Sequence, residues 1–200
     1  IGTSDDALFA FADRKLKPGE ELLLDADASF TVMAQDGRKW VLAPSFPIGH
    51  LPTVLDRAGV MPLPPYIKHT PLSDAELRRE YQSVFAKNEG SIAAPTASLH
   101  FTEALLKRLE ASGIGIVRVT LHVHLGTFAP LTEQQWASGT LHSESYTIEP
   151  GAAEAINAAK REGRPVIAVG TTSARTLESA SDDSGMIVRP SGVTDLFIRE

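Results

Sequence analysis

The 200-residue sequence has no cysteine. Disulfides and cysteine–zinc centres are therefore excluded, and a reducing cytoplasm fits. Aromatic residues make up only 6% of the chain, so aliphatic side chains and alanine must build most of its core. No apolar run approaches the roughly 20 residues of a membrane span. No signal peptide is visible. An initiator methionine is also missing: the chain starts at Ile1, as a fragment or a trimmed chain would. Basic residues are the minority, with 19 Lys and Arg against 25 Asp and Glu and a net charge of −6. Non-specific nucleic-acid binders are usually basic, because phosphate contacts supply their affinity. A general DNA or RNA coat is thus disfavoured, but a local basic patch on an acidic enzyme is not.

What is present is a 42% hydrophobic chain, enough for one sizeable core or two small ones. Residues 7–46 read as β. "ALFAFA" and "ELLLDAD" are short apolar runs, and "FTVMAQDGRKWVLA" alternates around Asp36-Gly37, a hairpin signal. Residues 51–59 fit a short helix with Pro52 in its first turn. "PLPPYIKHTP", 62–71, holds four prolines and marks a domain boundary. Beyond it, Ser73 and Glu76 have capping-box spacing, and Leu77, Tyr81, Val84 and Phe85 mark one helical face. "FTEALLKRLEASG" and "GAAEAINAAKREG" are further helices, with stops expected at Gly113 and Gly163. "IGIVRVTLHVHLGTF", "PVIAVG" and "MIVRPSGVTDLFI" supply strand material. Helices alternating with apolar strands indicate an α/β domain from residue 73 onward.

Three stretches carry chemistry. In "RPVIAVGTTSARTLES", 164–179, an apolar run ends at Gly170, where the chain can turn sharply. Thr171, Thr172 and Ser173 then offer hydroxyls and amides to a polar ligand or cap a helix start. Arg175 suits a carboxylate or phosphate. Thr176 follows, and Glu178 suits a ribose hydroxyl or an ion pair with Arg175. A capped helix with a surface ion pair explains the same residues without a ligand. The second stretch, "KNEGSIAAPTASLHFT", 87–102, is rich in small residues that let a ligand approach the backbone. It holds Lys87, Thr96 and His100, and a tight packing turn is its plain alternative. The third, "TLHVHLGTFAPL", 120–131, puts His122 and His124 on one strand face, with Thr127 beyond. Together with His142 they offer three nitrogens for a metal. One H-x-H spacing is slender support, and no bound metal is expected. Tyr66 and Lys68, on the stiff proline segment, are further candidates for facing a ligand.

Taken in order, "PLPPYIK", "YQSVFAKNEGSIAAPTASLHFT", "TLHVHLGTF", "HSESY", "VIAVGTTSARTLES" and "TDLFI" resemble the S-adenosylmethionine:tRNA ribosyltransferase-isomerase family of queuosine biosynthesis. "KLKPG", 15–19, extends the likeness into the β-rich part. The resemblance implies an α/β major domain with a β-barrel-like minor domain. Here residues 1–62 would be part of the minor domain and 63–200 part of the major one, as a core fragment. It also implies transfer and isomerisation of the ribosyl moiety of S-adenosylmethionine onto 7-aminomethyl-7-deazaguanine at the wobble position of tRNA. The product is epoxyqueuosine, and adenine and methionine leave. S-adenosylmethionine is then a consumed substrate, with no metal required. A cytoplasmic monomer acting on tRNA, away from membranes, is the matching expectation.

Within that reading Arg175 meets the methionine carboxylate, and Glu144 or Glu178 accepts from ribose hydroxyls. His100, His122 and Glu144 are the acid–base candidates. Lys68 and Lys87 meet tRNA phosphates. The remaining substrate-binding candidates are Tyr66, Thr96, Thr127, His142, Thr171, Thr172, Ser173 and Thr176. Three positions depart from the family pattern: Ser98 stands where glycine is usual, His124 where glycine or alanine is, and Ser145 where tryptophan is. Two rival readings follow. One is a diverged paralogue acting on another nucleoside or binding a metal, and the other is a non-catalytic tRNA- or nucleotide-binding module.

Overall fold

A computed structural model describes every residue except 1, 5, 6, 65, 66, 68, 89, 92, 124–130 and 200. By internal packing the chain divides into two compact units, Ile1–Met61 and Pro62–Glu200.

The first unit is a five-stranded antiparallel sheet. Its strands are β1 (Gly2–Ser4), β2 (Ala7–Ala10), β3 (Glu21–Leu23), β4 (Ser29–Asp36) and β5 (Lys39–Pro44), in the spatial order β1-β2-β5-β4-β3. Asp36 pairs with Lys39, so Gly37-Arg38 forms the two-residue hairpin loop, and Gly37 takes the positive φ of +58° that such a turn needs. Alternation decides which residues face inward. Phe30 and Val32 on β4 meet Trp40 and Leu42 on β5, and Leu8, Leu16 and Leu51 complete the core. Leu51 opens helix α1 (Leu51–Ala58), with proline in its first turn as expected. The barrel-like form expected for this part is not what the described residues show. β1 and β3 stand as the two edges of an open sheet. Two of the strands are only three residues long, too few to extend the pairing around a closed circuit.

The second unit mixes helices with a three-stranded antiparallel sheet. Its elements are α2 (Asp74–Glu80), a 3-10 turn at Thr96–His100, α3 (Glu103–Ala111), β6 (Thr120–Leu121), α4 (Glu133–Ser138), β7 (Thr140–Thr147), α5 (Pro150–Arg161), α6 (Gly170–Ala180) and β8 (Ser191–Leu196). The sheet order is β6-β7-β8. Leu121, Val123, Tyr146, Ile148, Ile156, Ala180 and Ile187 form the core between sheet and helices. Asn157 on α5 clamps the backbone of Ile187 from both sides: its Nδ2 donates to the carbonyl, and its Oδ1 accepts from the N–H at 2.7 Å.

The capping box at Ser73 forms, and Gly113 and Gly163 follow α3 and α5 with positive φ. Helix α2 stops at Glu80, so Val84 and Phe85 lie beyond it rather than on its face. Residues 114–119 and 165–169, from the stretches expected as strands, pair with no described strand, and Gly170 belongs to α6 instead. Ile167 stands 82% exposed. A short apolar run becomes a buried strand only when neighbouring strands meet its N–H and C=O groups. Among the described residues no helix is long and apolar enough to cross a membrane.

Candidate functional site

The sheet of the second unit has two unlike faces. Leu121, Val123, Glu144, Tyr146 and Thr194 point to the side covered by α6, and all five are buried. The opposite side carries a row that runs from His122, just past β6, across β7 and β8. The His122 N–H donates to the Ser145 carbonyl at 2.8 Å, and Ser145 pairs with Val193, which is 68% exposed. His122 and Glu144, both acid–base candidates, therefore project from opposite faces of one sheet.

The covered side is polar where α6 meets β7 and β8. Arg175 forms an ion pair with Glu144, whose side chain is 3% exposed against 12% for the arginine. The guanidinium also donates through Nε to the Leu196 carbonyl at 2.9 Å, with longer bonds to the carbonyls of His142 and Thr194. Its donors thus tie α6 to β7 and β8. Thr176 is fully buried and donates to the Thr172 carbonyl at 2.9 Å. Ser179 donates to Thr194 Oγ1 at 2.6 Å, and Tyr146 donates to the Ser179 carbonyl at 3.3 Å. Small hydroxyls let the helix sit close to the strands while every polar group named here keeps a partner.

Helix α6 starts at Gly170, whose φ of +85° makes the sharp turn expected there. Val169 occupies the cap position and supplies no side-chain acceptor. Thr171, Thr172 and Ser173 lie inside the first turn, not at the cap, and Thr171 is exposed. A Cβ on Gly170 would stand 3.2 Å from the Ala97 Cβ, so the 3-10 turn holding Thr96 and His100 rests on the start of α6. Thr96 and His100 are exposed on that turn. Ser98 beside them is buried, and its hydroxyl donates to the Pro95 carbonyl at 2.5 Å. Serine is accommodated where the resembling family has glycine.

The loop before that turn lies along the free edge of β6. Asn88 Nδ2 donates to Thr120 Oγ1 at 3.1 Å. Ser91 Oγ donates to the Leu121 carbonyl at 3.2 Å and accepts from the Val123 N–H at 3.1 Å. Gly90, between them, sits against the His122 ring. Asn88, Gly90 and Ser91 were not among the sequence candidates. Their signal was a glycine followed by a serine in a small-residue loop.

His142, on β7, is exposed, and its Nε2 lies 3.3 Å from Gln135 Nε2 on α4. Lys87 and Glu178 are exposed. Tyr66, Lys68, His124 and Thr127 lie outside the described residues. Among the described residues no three His, Asp or Glu side chains come together as a metal would need. The described residues of the segments 87–102, 120–123, 140–147, 170–180 and 191–196, far apart in sequence, thus form one assembly around a single small sheet.

Comparison with known proteins bears on that assembly. The profile of a family described as "Queuosine biosynthesis protein" matches residues 6–200. The chain belongs to this queuosine biosynthesis family. Among similar curated proteins is the S-adenosylmethionine:tRNA ribosyltransferase-isomerase of Lachnoclostridium phytofermentans. It is 52% identical over 145 residues, which are 72% of this chain and 39% of that protein. Proteins of the same name from Zymomonas mobilis subsp. mobilis and Desulforamulus reducens are 51% and 53% identical over the same length, covering 42% and 41% of theirs. The chain spans about two fifths of the length of the curated relatives it matches.

Proposed function

We propose that the protein acts as an S-adenosylmethionine:tRNA ribosyltransferase-isomerase. It takes the ribosyl moiety of S-adenosylmethionine onto 7-aminomethyl-7-deazaguanine at the wobble position of tRNA and isomerises it to epoxyqueuosine. Adenine and methionine are released, so S-adenosylmethionine is consumed as a substrate. The observation that carries this is family membership across residues 6–200, joined to the meeting of the motif-bearing segments around one sheet. The finer readings go with it: residues 1–62 as part of a β-rich minor domain, 63–200 as part of an α/β major domain, and a cytoplasmic monomer that needs no metal.

The two faces of the sheet suggest a division of labour. Adenine departure needs a proton delivered, and deprotonation beside the sulfonium needs a base. His122 is half-buried on the face away from α6 and suits proton transfer. Arg175 and Glu144 brace the helix against the strands. Thr96, His100 and Thr171 lie exposed where the 3-10 turn meets α6, and there they suit substrate hydroxyls and the methionine end. Lys87 suits a tRNA phosphate.

The test is adenine release by the full-length protein, followed chromatographically. Release is expected only when both S-adenosylmethionine and tRNA carrying the aminomethyl-deazaguanine base are present. Equal release without that tRNA, or none with it, would count against the reading.

A further inference from the structure

We propose that Gly90 is a positioning residue for the His122 imidazole, and that Asn88 and Ser91 beside it hold the backbone that carries that ring. The catalytic side of this inference rests on the function proposed above, whereas the ring-holding side rests on geometry alone.

Among the described residues β6 is an edge strand, paired with β7 on one side and with no strand on the other. An open edge leaves N–H and C=O groups without ladder partners. Here Ser91 takes that role with one hydroxyl, donating to the Leu121 carbonyl and accepting from the Val123 N–H. These two groups flank His122 directly. Asn88 adds a third point of attachment at Thr120. On the other side the His122 N–H is held by the Ser145 carbonyl. The backbone of His122 is therefore fixed from both edges.

Gly90 leaves the room the ring occupies. A Cβ built on Gly90 would lie 2.8 Å from His122 Nδ1, 3.2 Å from Cε1 and 3.7 Å from Cγ. At the first distance something must shift, and the group met is the His122 side chain, so a Cβ at 90 would displace the ring. The Nδ1–Cε1 side of the imidazole thus occupies the space that a side chain at 90 would take. Gly90 also has a φ of +122°, a conformation that side chains rarely adopt. A turn alone would explain the φ. It would not explain why a titratable ring fills the space that a side chain at 90 would occupy. Holding such a ring removes rotamer freedom, and a displacement of about 1 Å in a reacting group can cost about 10²-fold in rate.

The experiment compares the full-length protein with Gly90→Ala, His122→Gln and the double variant. One readout is single-turnover adenine release. The other is the imidazole 15N–1H NMR spectrum. Gly90→Ala is expected to move the His122 ring resonances and leave those of His50, His100 and His142 in place. It should lower the rate by about 10²-fold while changing the KM for S-adenosylmethionine by less than about threefold. In the His122→Gln background the same change should have little further effect, because residues that act as a unit are not additive. Ser91→Ala adds no bulk, so it keeps the test open if Gly90→Ala fails to fold. It should also shift the His122 ring resonances. Unmoved His122 resonances in both loop variants would overturn the proposal. An equal rate loss from Gly90→Ala with and without His122 would overturn it too. If the unaltered protein releases no adenine, the proposed reaction fails, and the ring resonances still decide the role of Gly90.

Discussion

Arg175 shows how one residue type can be assigned from sequence to a ligand and in the fold be met by a strand. Its guanidinium has a buried carboxylate on one side and backbone carbonyls of β7 and β8 on the other. Removing one partner of a buried pair leaves the other charge without compensation, at a cost of about 3–5 kcal/mol. Arg175→Ala should therefore lower unfolding stability by about that amount, read as a drop in the urea midpoint at unchanged slope. Adding Glu144→Gln should recover part of the loss, because the uncompensated charge is gone. A fully stable Arg175→Ala protein with weakened S-adenosylmethionine binding would return the guanidinium to the methionine carboxylate. The side chain was legible as a bidentate cation. Its partner was not, since 31 residues separate it from Glu144 and nothing in either motif names the other.

At the scale of elements, polar signals with a local mechanism proved the most legible. Ser73 and Glu76 form the capping box their spacing implied. The Ser73 hydroxyl, and then its N–H, donate to the Glu76 carboxylate and hold it below the ordinary glutamate range. A carboxyl depressed in the folded state binds its proton less readily there than in the unfolded chain. Its stabilisation is thus complete above the unfolded value of about 4.3 and lost as pH falls through the lower folded value. Amide protection in the first turn of α2 should fall over that acidic window, and Glu76→Gln should flatten the dependence, as an NMR pH titration would show. Thr132 and Gln135 make the same box at the start of α4, a helix only six residues long that carries no apolar stripe to draw notice. Strand β7 was hidden for a different reason. Its inward positions include Glu144, so the apolar alternation that marks a half-buried strand is broken by a buried acid. The reverse holds at 114–119 and 165–169. Their β-branched runs promise strands, but pairing is a property of neighbours and not of the run itself.

At the scale of the molecule, the two units carry cores that share no residue. Leu8, Phe30, Val32, Trp40 and Leu42 belong to the first, and Leu121, Tyr146, Ile148, Ile156 and Ile187 to the second. The proline-rich stretch at 62–71 follows directly on the division at Met61, and prolines supply few hydrogen bonds through which unfolding could propagate. The described elements around His122 and the Arg175–Glu144 pair pack on the second core. Separate cores predict separate unfolding. Leu8 and Ile148 are each 1% exposed, so truncation of either to alanine should cost about 2–5 kcal/mol through lost burial and a residual cavity. Hydrogen exchange locates the damage. Leu8→Ala should speed exchange in β4 and β5 and leave β7 and α5 protected, and Ile148→Ala should do the reverse. Adenine release at a temperature where both variants are folded should then survive the first change better than the second, since only the second loosens the sheet beneath His122. Equal loss of protection in both units from either variant would mean that the cores fold as one cooperative body, and the proline segment would then be a connector within a domain and not a boundary between two.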